Sequence, residues 1–227
     1  MDAKRIIPVL QVRAGRVAGG HPADWACRLE LEGADGILFQ EAEGDAGRTG
    51  WIREVAGSLS VPFALEAPLR GRAELEEALE AGVDKLVLPA LSASADPLLD
   101  GAVRAFGRSR ISVAVHALLA PESALSPWRV DLTGPAEGRD ALAWMRELEQ
   151  RGAGEILLRA EPEGEAAALL LGAARLALPV LFLCSGELAA MAEALLHGAD
   201  GVAVPAAAGS PRQWKSALAV HGLVLRD

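Results

Sequence analysis

The stretch His197-Gly-Ala-Asp-Gly-Val-Ala-Val204 decides the fold, because close copies of it occur at three earlier points in the chain. Each copy ends an amphipathic segment at a glycine and then enters an apolar run. Glycine just past a helix is the usual left-handed C-terminal cap, and a short loop leads from it into the next strand. The earlier copies begin at Glu32, Ala81 and Arg151.

The spacing of these copies predicts the number of strands. Their glycines, at positions 33, 82, 152 and 198, lie 49, 70 and 46 residues apart, and an interval near 48 holds two βα units. The phrase therefore marks every second strand, and four copies imply eight. The other four strands are predicted at the apolar runs Ile6–Val12, Pro62–Glu66, Ile111–His116 and Pro179–Cys184.

Helical patterns fill the intervals between the strands. Alternating β and α segments with continuous apolar strands are typical of a parallel sheet. The sequence therefore predicts a single (β/α)8 TIM barrel with an internal half-barrel repeat, one domain over residues 1–227. The long interval contains an extra segment, Ala117–Gly138, in which Trp128–Leu132 is expected to form a small hairpin on the catalytic face. The helices are predicted at Ala23–Glu32, Gly50–Leu59, Arg72–Ala81, Pro97–Phe106, Gly138–Arg151, Glu163–Leu176, Glu187–His197 and Ser210–Val220.

The first strand carries one polar side chain, Gln11, near its carboxyl end. In a barrel of parallel strands that end is where chemistry is done. Gln11 therefore has two interpretations, a substrate-binding amide or an inert remnant of a catalytic residue. The loop that follows passes from Gly20 to the first helix almost at once, so the first βα loop is expected to be short.

Composition excludes several classes of function. Hydrophobic residues make up 51% of 227, enough for one large core. A formal net charge of −9 and scattered basic residues argue against a nucleic-acid partner. No apolar run is long enough for a membrane span, and no signal peptide is visible. The two cysteines, Cys27 and Cys184, have no metal-binding spacing, which favours free thiols in a cytoplasmic protein with no metal or other cofactor.

Six segments of the chain form a recognisable set: Ala3–Ile7, Gly15–Val17, Gly82–Lys85, Arg151–Leu158, Ser185-Gly186 and His221-Gly222. Together they resemble the HisA/HisF family, and most closely its HisF branch, the cyclase subunit of imidazole glycerol phosphate synthase. The resemblance runs from end to end, and its most specific piece is Arg151–Leu158. It implies a barrel that receives ammonia from a glutaminase partner and closes an imidazole ring.

The resemblance also implies two catalytic aspartates, at the ends of the first and fifth strands. Here those positions are Gln11 and His116. A neutral amide cannot exchange a proton at working pH, so acid–base chemistry is removed at the first position. His116 can titrate near neutrality, but the sequence offers no carboxylate partner for it. The family's substrate-holding lysine on the first loop is replaced by Gly19.

The phosphate-binding turns implied by the resemblance are also changed. Such turns need small residues with free N–H groups. Here carboxylates and prolines stand in them, and carboxylates repel a phosphate dianion while proline lacks the N–H. The replacements read Glu66-Ala67-Pro68, Pro89-Ala90, Glu161-Pro162-Glu163-Gly164-Glu165, Ser185-Gly186-Glu187 and Pro205-Ala206.

The opposite face keeps more of the family's pattern. Arg5, Lys85 and Glu155 match three of the four charged residues at the family's ammonia entrance, and the fourth position is Gly36. Asp84 and Trp144 match positions on the side where the family docks its glutaminase. These five charged and aromatic residues are the partner-face candidates, for a glutaminase-like subunit or another barrel. Charges at strand starts can equally stabilise a barrel floor.

Three functions follow as hypotheses. The favoured one is a HisF-like barrel without cyclase activity that acts as a binding or subunit-interaction protein. The alternatives are an ordinary cyclase, a lyase of histidine biosynthesis, and a repurposed enzyme for a non-phosphorylated small molecule. No catalytic residue is assigned; the candidate mouth residues are Gln11, Glu66, His116 and Arg159.

Some of these residues also have a plainer interpretation. His116 is either an acid–base group or a histidine hydrogen-bonded at the barrel rim. Arg159 either neutralises the acidic mouth or binds an anion. The Glu161–Glu165 run is read as a solvated loop in preference to a metal site, and Cys184 as a packing residue in preference to a nucleophile.

Overall fold

Eight parallel strands close into a barrel in the computed structural model, which describes residues 3–18, 20–44, 47–89, 98–120, 127–131 and 138–226. The ring runs β1–β2–β3–β4–β5–β7–β8–β9 and closes between β9 and β1, while β6 pairs antiparallel with the outer end of β5. The strands are β1 Arg5–Val12, β2 Ile37–Glu41, β3 Phe63–Glu66, β4 Lys85–Leu88, β5 Ile111–Leu119, β6 Trp128–Val130, β7 Glu155–Glu161, β8 Val180–Leu183 and β9 Gly201–Pro205. The predicted (β/α)8 TIM barrel is confirmed.

Eight helices lie outside the strands of the described chain. They are α1 Pro22–Leu31, α2 Arg48–Ser58, α3 Arg72–Glu80, α4 Leu98–Phe106, α5 Ala141–Gln150, α6 Ala167–Ala173, α7 Leu188–Leu196 and α8 Pro211–Ala219. Most bounds agree with the sequence pattern to within two or three residues. Helix α6 begins later than expected, because Glu163–Glu165 forms a separate 3-10 turn before it, and it ends earlier than expected, at Ala173.

The repeated glycines cap helices as predicted. Gly33, Gly82, Gly152 and Gly198 have φ values of 87, 118, 93 and 113°, a conformation that side chains with a Cβ rarely adopt. At Gly82 a Cβ would also lie 2.4 Å from the Cβ of Ala56. All four caps therefore favour glycine for its conformation, and Gly82, Gly152 and Gly198 also lack space for a side chain, while a Cβ at Gly33 would meet no atom within 4 Å.

The aspartate of the repeated phrase ties each pair of strands together at their amino ends. Three copies of the phrase carry it, and in each a carboxylate oxygen accepts the backbone N–H of a residue beginning the preceding strand. The pairs are Asp35 with Ile6 at 2.7 Å, Asp84 with Phe63 at 2.9 Å and Asp200 with Val180 at 2.8 Å. In the fourth copy the position is Gly154, and the carbonyl oxygen of Arg108 occupies the space a side chain would need.

Two hydrophobic clusters form the core. The larger lies between the strands and the helices that cover them. The smaller fills the barrel interior, because alternate residues of each strand point inward. It separates the carboxyl ends of the strands, called the mouth here, from their amino ends, called the floor, and comprises Ile7, Val9, Leu38, Val87, Leu157, Leu181 and Ala203.

The extra segment after β5 contains the expected hairpin strand. Trp128–Val130 pairs with Ala117–Leu119, and Trp128 is buried against the core; Leu132 lies outside the described residues. Between β1 and α1 the chain makes two narrow turns, closed by the pairs Arg13 with Arg16 and Val17 with Gly20. None of the helices among the described residues has the length and apolar character that a membrane crossing requires.

Candidate functional site

A row of hydrogen-bonded side chains crosses the mouth on β1, β2 and β3. Gln11 lies opposite Gln40 in the register of β1 and β2, and Gln40 lies opposite Glu66 in that of β2 and β3. The amide nitrogen of Gln11 donates to the Gln40 oxygen, and the amide nitrogen of Gln40 donates to a Glu66 carboxylate oxygen. Both donor–acceptor distances are 2.5 Å. The side chain of Gln11 is thus part of a fixed polar row.

Glu66 ends this row in a partly buried position. Burial raises the pKa of its carboxyl group above the ordinary value of 4.5, while the hydrogen bond from Gln40 and the charge of Arg159 act in the opposite direction. The raised pKa means that folding disfavours the charged form. A buried carboxylate in a mouth is a poor neighbour for a second negative charge.

His116 lies between two carboxylates, which corrects the expectation that it has no carboxylate partner. Its Nδ1 is 3.1 Å from an Asp131 oxygen, and its Nε2 is 3.1 Å from a Glu161 oxygen. The Nε2 atom is buried and, despite this distance, makes no aligned hydrogen bond. Both ring nitrogens can donate at once only in the imidazolium form. The trio could therefore hold or transfer a proton.

The mouth contains a cavity of about 310 Å3 beside this row. Part of its lining is apolar and the rest is polar, with an arginine and two glutamates among the polar side chains. The lining residues are Val9, Gln11, Gln40, Arg159, Ala160, Glu161, Glu163, Leu183, Cys184, Ser185 and Pro205. Of the four candidate mouth residues, Gln11 and Arg159 line the cavity, and Glu66 contacts it through Gln40. His116 reaches its edge through Glu161.

The backbone N–H of Ser185, in the turn after β8, is already occupied by a side chain of the protein. The backbone N–H of Ser185 donates to both carboxylate oxygens of Glu163, at 3.0 and 3.2 Å. An anion that needed this N–H would have to displace a carboxylate of the chain itself. Proline stands in the turns at Pro68, Pro89 and Pro205; Gly19 and Ala90, which were singled out in the sequence, lie outside the described residues.

Cys184 is not set up as a nucleophile. Burial, followed by the negative charge of Glu163, raises the pKa of its thiol to about 12. The reactive thiolate is therefore scarce at neutral pH. Within the described ranges, no group of three or more His, Cys, Asp or Glu side chains is arranged to hold a metal ion.

The floor contains a buried ion cluster centred on Glu155, which is 3% exposed. Arg5 donates to one of its carboxylate oxygens at 2.8 Å, and Lys85 and Ser112 donate to the other at 2.9 and 3.1 Å. At Gly36 a Cβ would come within 2.9 Å of the Pro62 carbonyl oxygen, so the fourth charge of the family's entrance has no room here. The cluster carries two positive charges and one negative charge.

The other two partner-face candidates, Asp84 and Trp144, both make contacts within the barrel. Asp84 is exposed, but its carboxylate accepts the N–H of Phe63 as the repeat requires. Trp144 is only 2% exposed, within α5, and Arg139 lies over its ring at 5.1 Å. Its side chain therefore offers no docking surface in this chain.

Sequence reasoning missed Gln40, Asp131 and the bond between Glu163 and Ser185. Gln40 could have been found, because it lies two residues after the inward-facing Leu38 on β2 and therefore points to the same side of the strand. Asp131 follows the extra strand β6, and its approach to His116 depends on how that strand pairs with β5. The Glu163–Ser185 contact joins two loops 22 residues apart and has no local signal.

Known proteins that resemble this chain point to one family. A family model described as "Histidine biosynthesis protein" matches residues 5–161. The imidazole glycerol phosphate synthase subunit HisF of Prochlorococcus marinus is 36% identical over 175 residues, covering 70% of this chain and 67% of the relative. HisF subunits from Halalkalibacterium halodurans and a Synechococcus species are each 33% identical, with 70% of this chain covered and 68% and 67% of the relatives.

Proposed function

Because the chain belongs to the histidine biosynthesis protein family, we propose that it is a HisF-like barrel without cyclase activity, kept as a binding and subunit-interaction protein. The proposal treats residues 1–227 as one domain and places the protein in the cytoplasm. The relatives are named as subunits of imidazole glycerol phosphate synthase. A role as a subunit is therefore carried over, and the cyclase reaction is not.

One observation carries the loss of activity: Glu163 occupies the Ser185 N–H in the turn after β8. A phosphorylated substrate would meet a carboxylate where such barrels offer a free donor. Because the chain satisfies its own N–H, binding phosphate would mean leaving the Glu163 carboxylate without that donor. The repulsion between the two anions adds to this penalty.

The polar row supports the same conclusion. Gln11 stands where the resemblance implies a catalytic aspartate, and its amide is bonded to Gln40. The amide neither accepts nor releases a proton in the working pH range. A reaction that needs a titratable group at both of the implied aspartate positions finds one only at His116.

Exposed apolar side chains around the floor support the partner role. They stand at the carboxyl ends of α1, α7 and α8 and in the tail beside β1, all on the floor side of the barrel. We name them the floor rim: Leu31, Leu196, Val220 and Val224. Val220 is 85% and Leu31 79% exposed. Exposed apolar side chains along one side of a charged floor form a surface that a second protein would cover.

Changing Val220 to aspartate should weaken association by about tenfold or more, because a charge would be buried at the contact. The measurement is sedimentation of the purified chain over a range of concentrations, alone and mixed with a glutaminase subunit of a HisF-containing synthase. The first arm detects a second copy of the barrel, and the second arm detects the glutaminase.

Leu188 provides the matched control, because it is an exposed apolar residue at the mouth end of α7. Leu188→Asp should leave association unchanged. If the chain stays monomeric in both arms, or if both substitutions act equally, the partner role on the floor is contradicted. Charge reversal at Lys85 or Glu155 is a less suitable test, because it would disturb the buried cluster.

A repurposed enzyme is the second candidate, and one observation favours it. His116 between Asp131 and Glu161 is an arrangement that can move a proton. Such chemistry would act on a molecule without phosphate groups. Turnover of a ligand in the mouth would separate this candidate from a binding role.

A further inference from the structure

We propose that the mouth binds a small zwitterion, a molecule of the amino-acid class with one carboxylate and one ammonium group. The proposal rests on the proposed function, since it assumes that the mouth no longer holds a phosphorylated substrate. Three features of the described residues carry it: a cavity of suitable size, an arginine without hydrogen bonds, and amide and carboxylate oxygens with free lone pairs.

The cavity fits a ligand of this size. Its volume of about 310 Å3 lies at the small end of ligand pockets, which favours a compact molecule over a nucleotide or a bisphosphate. Val9 and Leu183 form apolar parts of the wall. Polar groups stand on two sides of it, on β1–β2 and on β7 with the turn that follows.

Arg159 supplies the site for the carboxylate. It is exposed into the cavity, and its guanidinium group donates no hydrogen bond to any side chain or carbonyl in the described ranges. Its charge acts to lower the pKa of the Glu66 carboxyl, so the positive group lies near the end of the polar row. A guanidinium group has five donors and matches a carboxylate with two parallel hydrogen bonds.

Gln11 and Glu161 supply acceptors for the ammonium group. The direction of the polar row is set at its end, where the Glu66 carboxylate accepts from Gln40. Gln40 must then accept from Gln11, so the carbonyl oxygen of Gln11 is left to accept a donor from the cavity. Only one oxygen of Glu161 approaches His116, and its other oxygen is available.

Charge selects a zwitterion over the simpler ions. Arg159 attracts an anion, but Glu66, Glu161 and Glu163 surround it with negative charge and disfavour a phosphate dianion. A plain amine would leave the guanidinium group unmatched, and a plain carboxylate would leave the acceptors unmatched. A ligand with no net charge and both groups satisfies the two sides together.

Titration calorimetry of the full chain with the common L-amino acids tests the proposal. At least one should bind with a dissociation constant below about 1 mM, and its half-ligands, the matching amine and the matching carboxylic acid, should bind at least about tenfold more weakly. Inorganic phosphate is titrated in parallel. Arg159→Gln should weaken the amino acid by about tenfold or more, because charged hydrogen bonds are lost.

The control is Arg175→Gln, which changes an exposed arginine after α6 that does not line the cavity. It should leave binding unchanged. Gln11→Met is a second variant that keeps the side-chain length and removes the acceptor. Circular dichroism checks that each variant folds. If the Gln11 variant does not fold, the Arg159 variant, whose side chain is exposed, tests the proposal by itself.

The zwitterion proposal is overturned if no amino acid binds, if the half-ligands bind as tightly as the whole, or if phosphate binds more tightly than any amino acid. The first two outcomes leave the absence of cyclase activity untouched, whereas tight phosphate binding would also count against the blocked turn on which that absence rests. Conversion of a bound amino acid, followed by proton NMR, would support the ligand class and contradict the non-catalytic role. The two proposals can therefore fail separately.

Discussion

Replacing Glu155 with alanine is expected to lower the free energy of unfolding by about 3–5 kcal/mol, because it leaves two cations at the floor without their common partner. Glu155 is buried and receives hydrogen bonds from Arg5, Lys85 and Ser112. The substitution removes all three bonds and leaves a cavity. Urea unfolding followed by circular dichroism measures the loss.

Glu80→Ala is the matched control, since Glu80 is exposed on α3. It should change the free energy of unfolding by no more than about 0.5 kcal/mol. A loss at Glu155 no larger than that of the control would mean that the ion cluster does not hold the floor together. The role of the charged floor as a structural element would then be contradicted.

The same cluster gives a pH dependence. Burial alone would raise the pKa of the Glu155 carboxyl, but the charges of Lys85 and Arg5 and their hydrogen bonds outweigh burial and hold it below 4.5. The folded state therefore binds this proton less tightly than the unfolded state. The stability from the cluster is present above the ordinary carboxyl pKa and is lost as pH falls through the lowered value. The difference between wild type and Glu155→Ala should shrink in that acid range.

Gly154→Ala is expected to cost about 3 kcal/mol or more, because the added methyl group has no space. Its Cβ would lie 1.9 Å from the carbonyl oxygen of Arg108 and 2.7 Å from the carbonyl carbon. These are backbone atoms of the turn Arg108–Arg110, which leads into β5, so they cannot rotate away like a side chain. The backbone bond from Gly154 to the Ile111 oxygen, 2.8 Å long, would have to move as well.

Gly164→Ala separates this clash from the general effect of replacing glycine. A Cβ at Gly164 meets no atom within 4 Å, and the residue does not need a left-handed conformation. That substitution should be neutral or stabilise by up to about 1 kcal/mol, since alanine restricts the unfolded chain. Equal effects at the two positions would contradict the close packing of the fourth repeat. Thermal unfolding of both variants gives the comparison.

The fold was accessible from the sequence because its signals are local and repeated. The C-cap at Gly82 and the strand after it occupy one short stretch, and similar stretches occur at four places in the chain, this one included. The start of α6 was harder, since the two glutamates of Glu163–Glu165 favour a helix but the segment forms a 3-10 turn. There Glu163 bonds to Ser185, a contact that local propensity does not encode.

The site was accessible only in part, for the same physical reason. Gln11, Glu66 and Arg159 could be placed at the mouth because each lies near the carboxyl end of a strand. The carboxylates beside His116 come from segments beyond the strand ends, so their positions depend on loop packing. The burial of the Trp144 ring was also not accessible, because matching a family position carries no information on exposure.

The cyclase reaction itself tests the central claim most directly. The purified chain is supplied with ammonia and the substrate of imidazole glycerol phosphate synthase, and the Prochlorococcus marinus HisF subunit, 36% identical, is assayed beside it. The expected result is product formation by the HisF subunit and none above the blank by this chain. Turnover by this chain, even at a modest rate, would contradict the loss of cyclase activity.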